Sequence, residues 1–138
     1  MRGTKKTADI LIHIIKHCEI ITHQVKIVNA DYQNFISREN YGVVDIGSLH
    51  VLQIGELVTK LPPEFKTEHA DMPWHDIINM RHRLVHGYEL LRKEILWDTM
   101  LNDIPILNEK CRSILRELNP NAGAEIRAEL EAETIIYD

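Results

Sequence analysis

Apolar residues return at helical spacing along almost the whole chain. From about Thr7 to Val28, the residues Ile10, Ile14, Cys18, Ile21, Val25 and Val28 follow one another in steps of four and three. At about 100° per residue such steps place them on one face of a helix. Leu11, Ile12, Ile15 and Ile20 widen that face beyond a stripe. A face this broad belongs to a helix that sits centrally or meets a second subunit.

The rest of the chain reads the same way. Asn29, Asp31, Asn40 and Gly42 punctuate it, with a short helical turn expected at Tyr32 to Ile36. Gly47, Val51, Ile54, Val58 and Leu61 mark a second long helix from about Tyr41 to Leu61, stopped by Pro62 and Pro63, because proline cannot continue the hydrogen-bond ladder. Residues 62 to 72 read as a polar loop. Asp71 then suits an N-cap, and Pro73 the first turn of a third helix that runs to Val85 or a little beyond. On it Trp74, Ile78, Arg81, Val85 and Tyr88 form one stripe, which predicts that Arg81 and Tyr88 share a buried or interfacial face. The residues Glu89 to Glu94 are able to carry the same helix on through Gly87. A fourth segment holds Leu91, Ile95, Leu96, Trp97 and Leu101. Asn102 or Asp103 suits the cap of a further helix with Pro105 in its first turn, where Ile104, Leu107, Cys111, Ile114 and Leu118 repeat.

No strand-like alternation and no internal repeat interrupts the pattern. The expected fold is all-α, an antiparallel bundle of four to five helices. The sequence divides into a helical domain over residues 1–118 and an acidic C-terminal tail over 119–138, with a short helix possible from Ala124 to Thr134. The 138 residues suffice for one core without staples. The two cysteines, Cys18 and Cys111, have no metal-ligand spacing and read as buried, reduced thiols. No apolar run reaches the roughly 20 residues of a membrane span, and the first residues lack the pattern of a signal peptide. A cytoplasmic protein with no membrane association is expected.

Net charge is −5, but the tail carries five acidic residues against one arginine and accounts for −4 of it. The body is therefore close to neutral. It leaves room for a local basic cleft and excludes the broad basic surface of a dedicated RNA-binding domain.

One segment stands out, Arg81-His82-Arg83-Leu84-Val85-His86-Gly87-Tyr88, which has the form R-x4-H-x-Y. It resembles the signature of the HepT-like group of HEPN proteins, small all-helical ribonuclease toxins, including the polar residue after the arginine, here His82. The flanks agree in order. Gln53-Ile54-Gly55-Glu56 is similar to the group's Q-x-G-E, Met72-Pro73-Trp74 to its P-W opening, and Ile95-Leu96-Trp97 and Asp103-Ile104-Pro105 to its later helices. The resemblance spans about Leu49 to Leu118, and the ordered flanks make it specific where R-x4-H alone is not.

The resemblance implies metal-independent cleavage of RNA by a homodimer, with no cofactor. The residue types suit that chemistry. Transfer of a phosphodiester to its own ribose 2′-hydroxyl needs a proton acceptor or donor and a positive charge at the phosphate. His86 is the candidate acid or base, since imidazole chemistry operates near neutrality. Arg81 is the candidate phosphate clamp, with a planar fork of donors. His82 is a candidate for positioning substrate, and Glu56 for supporting Arg81. On a regular helix Arg81 and His86 point about 140° apart. They converge if Arg81 extends around the helix, if the helix ends near Gly87, or if two subunits supply opposite halves of a site, the arrangement that the dimeric relatives favour. The resemblance further implies a partner, a minimal nucleotidyltransferase antitoxin that modifies Tyr88 with AMP. The added bulk and negative charge would then exclude RNA phosphate.

Plainer readings stand beside this one. Arg81 can be a structural arginine paired with Glu56. His82 and His86 have helical metal-ligand spacing, but no third ligand is spaced to join them, so no metal site is expected. His13, His17, His23, His50, His69 and His75 read as ordinary helix residues, and Trp74 and Trp97 as packing. The rival function is a non-catalytic helical partner or substrate-binding subunit of a nucleotidyltransferase. An orphan dimerisation domain explains the stripes but not the ordered motif.

Overall fold

The computed structural model describes the backbone of residues 2–87 and 91–137 and the side chains of residues 5–87 and 91–132. Every regular element among them is helical. The first helix, α1 (Arg2–Ile27), is the centre of the bundle and packs against three others, α3 (Tyr41–Thr59), α7 (Ile104–Leu118) and α8 (Ala122–Tyr137). This is why its apolar face is so wide. Leu11, Ile14, Ile15, Cys18 and Ile21 have no exposed surface at all. Burying each large aliphatic side chain stabilises the fold by roughly 1.5–3 kcal/mol. The all-helical bundle expected from the periodicity is the one that forms.

α1 ends where Asn29 and Ala30 adopt left-handed backbone angles, with φ of 56° and 52°. Asn tolerates that region far better than Ala does. Asp31 then caps the single turn α2 (Tyr32–Phe35), its carboxylate accepting the Asn34 N–H at 2.9 Å. Phe35 is fully buried and its ring lies 4.7 Å from that of Trp97.

Three expectations need correction. The segment after Pro62 is not all loop, because Pro63–Glu68 forms a short helix, α4. Proline's fixed φ suits a first helical turn, and the segment's one buried aromatic, Phe65, docks near Trp74. Asp71 is drawn to another partner. The Pro73 carbonyl accepts the Ile77 N–H in the first turn of the next helix, α5 (Trp74–Gly87), and the Asp71 carboxylate instead meets Lys110 at 3.0 Å. Asp103 caps nothing either, since its backbone is already helical. From α6 (Lys93–Asp98) the chain continues through a wide π-type turn, Thr99–Asp103, into α7. In that turn the Ile104 N–H bonds to the Thr99 carbonyl five residues back. The wider turn accommodates Pro105, whose ring would clash with a carbonyl four residues earlier in a regular helix.

α8 packs on α1, and Ala122 and Ile126 lie within the same core as the rest. No helix among the described residues is long and apolar enough to cross a membrane.

Cys18 on α1 and Cys111 on α7 are both fully buried. Burial pushes the Cys18 thiol well above its usual range, with nearby Cys111 adding to the effect, and it pushes Cys111 up to about 12. Neither thiol then offers reactive thiolate. Iodoacetamide at about pH 8 is expected to leave both unmodified in the native protein and to label both in denaturant. Rapid native labelling of either one would contradict this packing.

Candidate functional site

α5 carries the R-x4-H segment, and its orientation is set by what it buries. The core takes Trp74, Ile77, Met80 and Leu84. The stripe expected from spacing lies one residue round from this. Arg81 sits at its margin, half-buried, while Val85 is 47% exposed. Ile77, Met80 and Leu84 compete with Ile78 and Val85 for the interior. The set that carries no charge and more volume wins, because a buried guanidinium costs more than an exposed valine.

Arg81 is held by α3. Gly55 lies directly under it, and a Cβ there would overlap Arg81 Cβ and Cγ. The missing side chain lets the two helices approach closely. Glu56, the next residue, accepts a hydrogen bond from Arg81 Nε at 2.8 Å. The two side chains retain 30% and 40% exposure, so the pair contributes at most about 1 kcal/mol to stability. Its larger effect is to fix the direction of the guanidinium. Gly55 is the residue that motif reading named without giving it a role. The available signal was a glycine in mid-helix beside the residue that pairs with the motif arginine, a position where glycine is otherwise unfavourable.

His82 and His86 are exposed on another side of α5, with ring centres 4.5 Å apart. They line a groove of about 350 Å³ together with Arg83. Leu91, Arg92 and Ile95 form its opposite wall. Arg81 does not line it. The structure thus brings the two histidines together and keeps Arg81 apart from them within one chain, in keeping with the roughly 140° between Arg81 and His86 on a helix. Tyr88 lies outside the described residues. A helix running on through Gly87 into the next element is overturned, since Arg92 has extended backbone, with φ of −74° and ψ of 128°, before α6 begins.

A second groove adjoins the first, with Arg83 bordering both. Asp76, Asp98 and Asp103 line it. Burial raises the Asp103 carboxyl above its ordinary range, and the charges of Asp98 and Asp76 add to that. Among the described residues no three His, Cys, Asp or Glu side chains form a metal-holding group. The histidines of α1 and α3 were expected to be ordinary, yet His50 is buried and its Nδ1 lies 2.8 Å from His17 Nδ1. One ring donates and the other accepts, so the pair ties α1 to α3.

The close approach at Gly55 has a measurable consequence. Gly55→Ala is expected to lower unfolding free energy in urea by about 1–3 kcal/mol, the usual cost of overpacking. Gly123→Ala, whose added Cβ meets nothing, is expected not to lower it. Equal stability of Gly55→Ala and the unaltered chain would contradict the contact.

The chain is similar to several known proteins. The ribonuclease HepT-like family model matches residues 14–114. A "Putative RNase" of Caldanaerobacter subterraneus subsp. tengcongensis is 34% identical over 107 residues, which cover 78% of this chain and 92% of that protein. A "Probable ribonuclease HepT" of Thermococcus cleftensis is 32% identical over 79 residues, 57% of this chain and 70% of that one. A "Putative RNase" of Methanocaldococcus jannaschii is 29% identical over 87 residues, 63% of this chain and 70% of that one. No solved structure matches the chain significantly. With the family model covering most of its length, the chain belongs to the ribonuclease HepT-like family.

Proposed function

We propose that the protein is a metal-independent endoribonuclease, the toxin of a toxin–antitoxin pair, acting as a homodimer in the cytoplasm. Family membership supports the reaction class. The observation that carries the reading is the pairing of an oriented guanidinium, Arg81 on Glu56, with two exposed imidazoles on the same helix. In the proposed reaction the ribose 2′-oxygen bonds to phosphorus as the 5′-oxygen leaves. His86 takes the proton from the 2′-hydroxyl or gives one to the departing 5′-oxygen. Arg81 stabilises the charge that develops on the phosphate oxygens, and His82 positions the substrate.

Because Arg81 and His86 diverge on one helix, the proposed site is shared between two subunits. The arc of α5 between them bears Val85, which is 47% exposed, and the half-buried Ile78. A two-fold contact on that arc would cover apolar surface and bring one subunit's arginine towards its partner's histidines. The proposed antitoxin is a minimal nucleotidyltransferase that transfers AMP to the Tyr88 hydroxyl, releasing pyrophosphate from ATP. The added anion, two residues from His86 in sequence, would repel RNA phosphate.

The divergence also favours a second reading, in which the Arg81–Glu56 pair is structural and the chain is a non-catalytic partner of a nucleotidyltransferase. Purified protein in EDTA separates the two. It is expected to degrade RNA, and Arg81→Ala or His86→Ala to reduce the rate by at least about 100-fold. Growth arrest on expressing the chain alone, relieved by a nucleotidyltransferase with a mass increase of AMP on the Tyr88 peptide, is the expected cellular result. Full activity in both variants sinks the assigned roles.

A further inference from the structure

The groove beside the motif has a composition that the cleavage chemistry alone does not require. His82 and His86 form one wall, Leu91 and Ile95 supply apolar surface opposite, and Arg83 stands at the border with the acidic groove. Arg83 is exposed, and among the described residues it forms no ion pair. Arg92, the other cation of the groove, is bound to Glu94. Among the described residues, Arg83 is therefore the cation of this groove without an ion-pair partner, and it is open to a phosphate.

Resting on the RNA-cleaving reading, we propose that this groove seats one unpaired nucleotide of single-stranded RNA beside the scissile bond, with its phosphate on Arg83 and its base against Leu91 and Ile95. Three observations carry this. The groove volume of about 350 Å³ lies at the small end of ligand pockets, the size of a single nucleotide and not of a duplex. A base can reach apolar side chains only when it is unstacked and unpaired, so the groove selects single strands. Asp76, Asp98 and Asp103 make the neighbouring groove repulsive to phosphodiester, which confines the strand to the histidine side with Arg83 as the boundary charge. Arg83 is thus a positioning residue, and its removal weakens binding without altering the proton transfer at His86.

The test uses the full chain and a 2′-O-methyl single-stranded oligonucleotide, which cannot be cleaved through its 2′-oxygen. The duplex of the same sequence and cleavable RNA serve in parallel. The single strand is expected to bind more tightly than the duplex. Arg83→Gln is expected to weaken it by about tenfold and to reduce the slope of log affinity against log salt by about 0.7, the value for one lost contact to a single strand. Arg83→Lys should restore the slope, and Arg127→Gln, an exposed change on α8, should leave it unaltered. On cleavable RNA, Arg83→Gln should raise KM with kcat nearly unchanged. An unaltered slope in Arg83→Gln, or equal binding of duplex, overturns the groove assignment while leaving the nuclease reading intact if the unaltered chain still cleaves. Absence of both binding and cleavage in the unaltered chain overturns both.

Discussion

The contact between Gly55 and Arg81 governs the geometry of everything around the motif. Two helices can approach this closely only where one of them lacks a side chain, and α3 lacks it directly beneath the motif arginine. With α5 seated there, Leu84, Met80 and Ile77 turn into the core and the histidines turn outward. Glu56 then needs no reach of its own to meet Arg81, because it follows the glycine in sequence and faces the same neighbour. The glycine sets the distance and the glutamate sets the direction.

A consequence is that one chain presents the elements of the proposed RNA-cleaving site on two different sides of a helix. Arg81 belongs to the α3 side, and His82 and His86 to the groove that Leu91 and Ile95 complete. An arginine held by a carboxylate is pre-oriented, so little conformational freedom is lost when it receives a phosphate. The exposed histidines have the access to solvent and substrate that proton transfer requires. A site split in this way suits the proposed homodimer, in which two subunits supply its halves.

Much of the fold was legible in the sequence because its long helices bury a broad face. The α1 pattern of Ile, Leu and Cys called for a helix that is central or meets a second subunit, and the contacts of α1 with α3, α7 and α8 make it central. The π-type turn departs from expectation only in local geometry. What spacing could not show was which of two adjacent apolar stripes of α5 faces inward. Ile77 and Met80 compete there with Ile78 and Val85, and the choice depends on Gly55 of another helix. The short α4 was illegible because one phenylalanine makes no period. The His17–His50 bond was illegible because it joins residues 33 positions apart. Of the candidate site, Arg81 and Glu56 could be paired from the motif and its flank. The groove walls at Leu91 and Ile95 could not, since they depend on where the chain turns after α5.

The central claim is that Arg81 and His86 act across a subunit boundary. Mixing the inactive Arg81→Ala and His86→Ala variants and letting their subunits exchange tests it directly. Half of the dimers formed at random would then contain one of each variant, and each of these would hold one intact site, so cleavage should return to about one quarter of the unaltered rate. A mixture that stays as inactive as its components after exchange, with mixed dimers demonstrably present, would contradict the shared site.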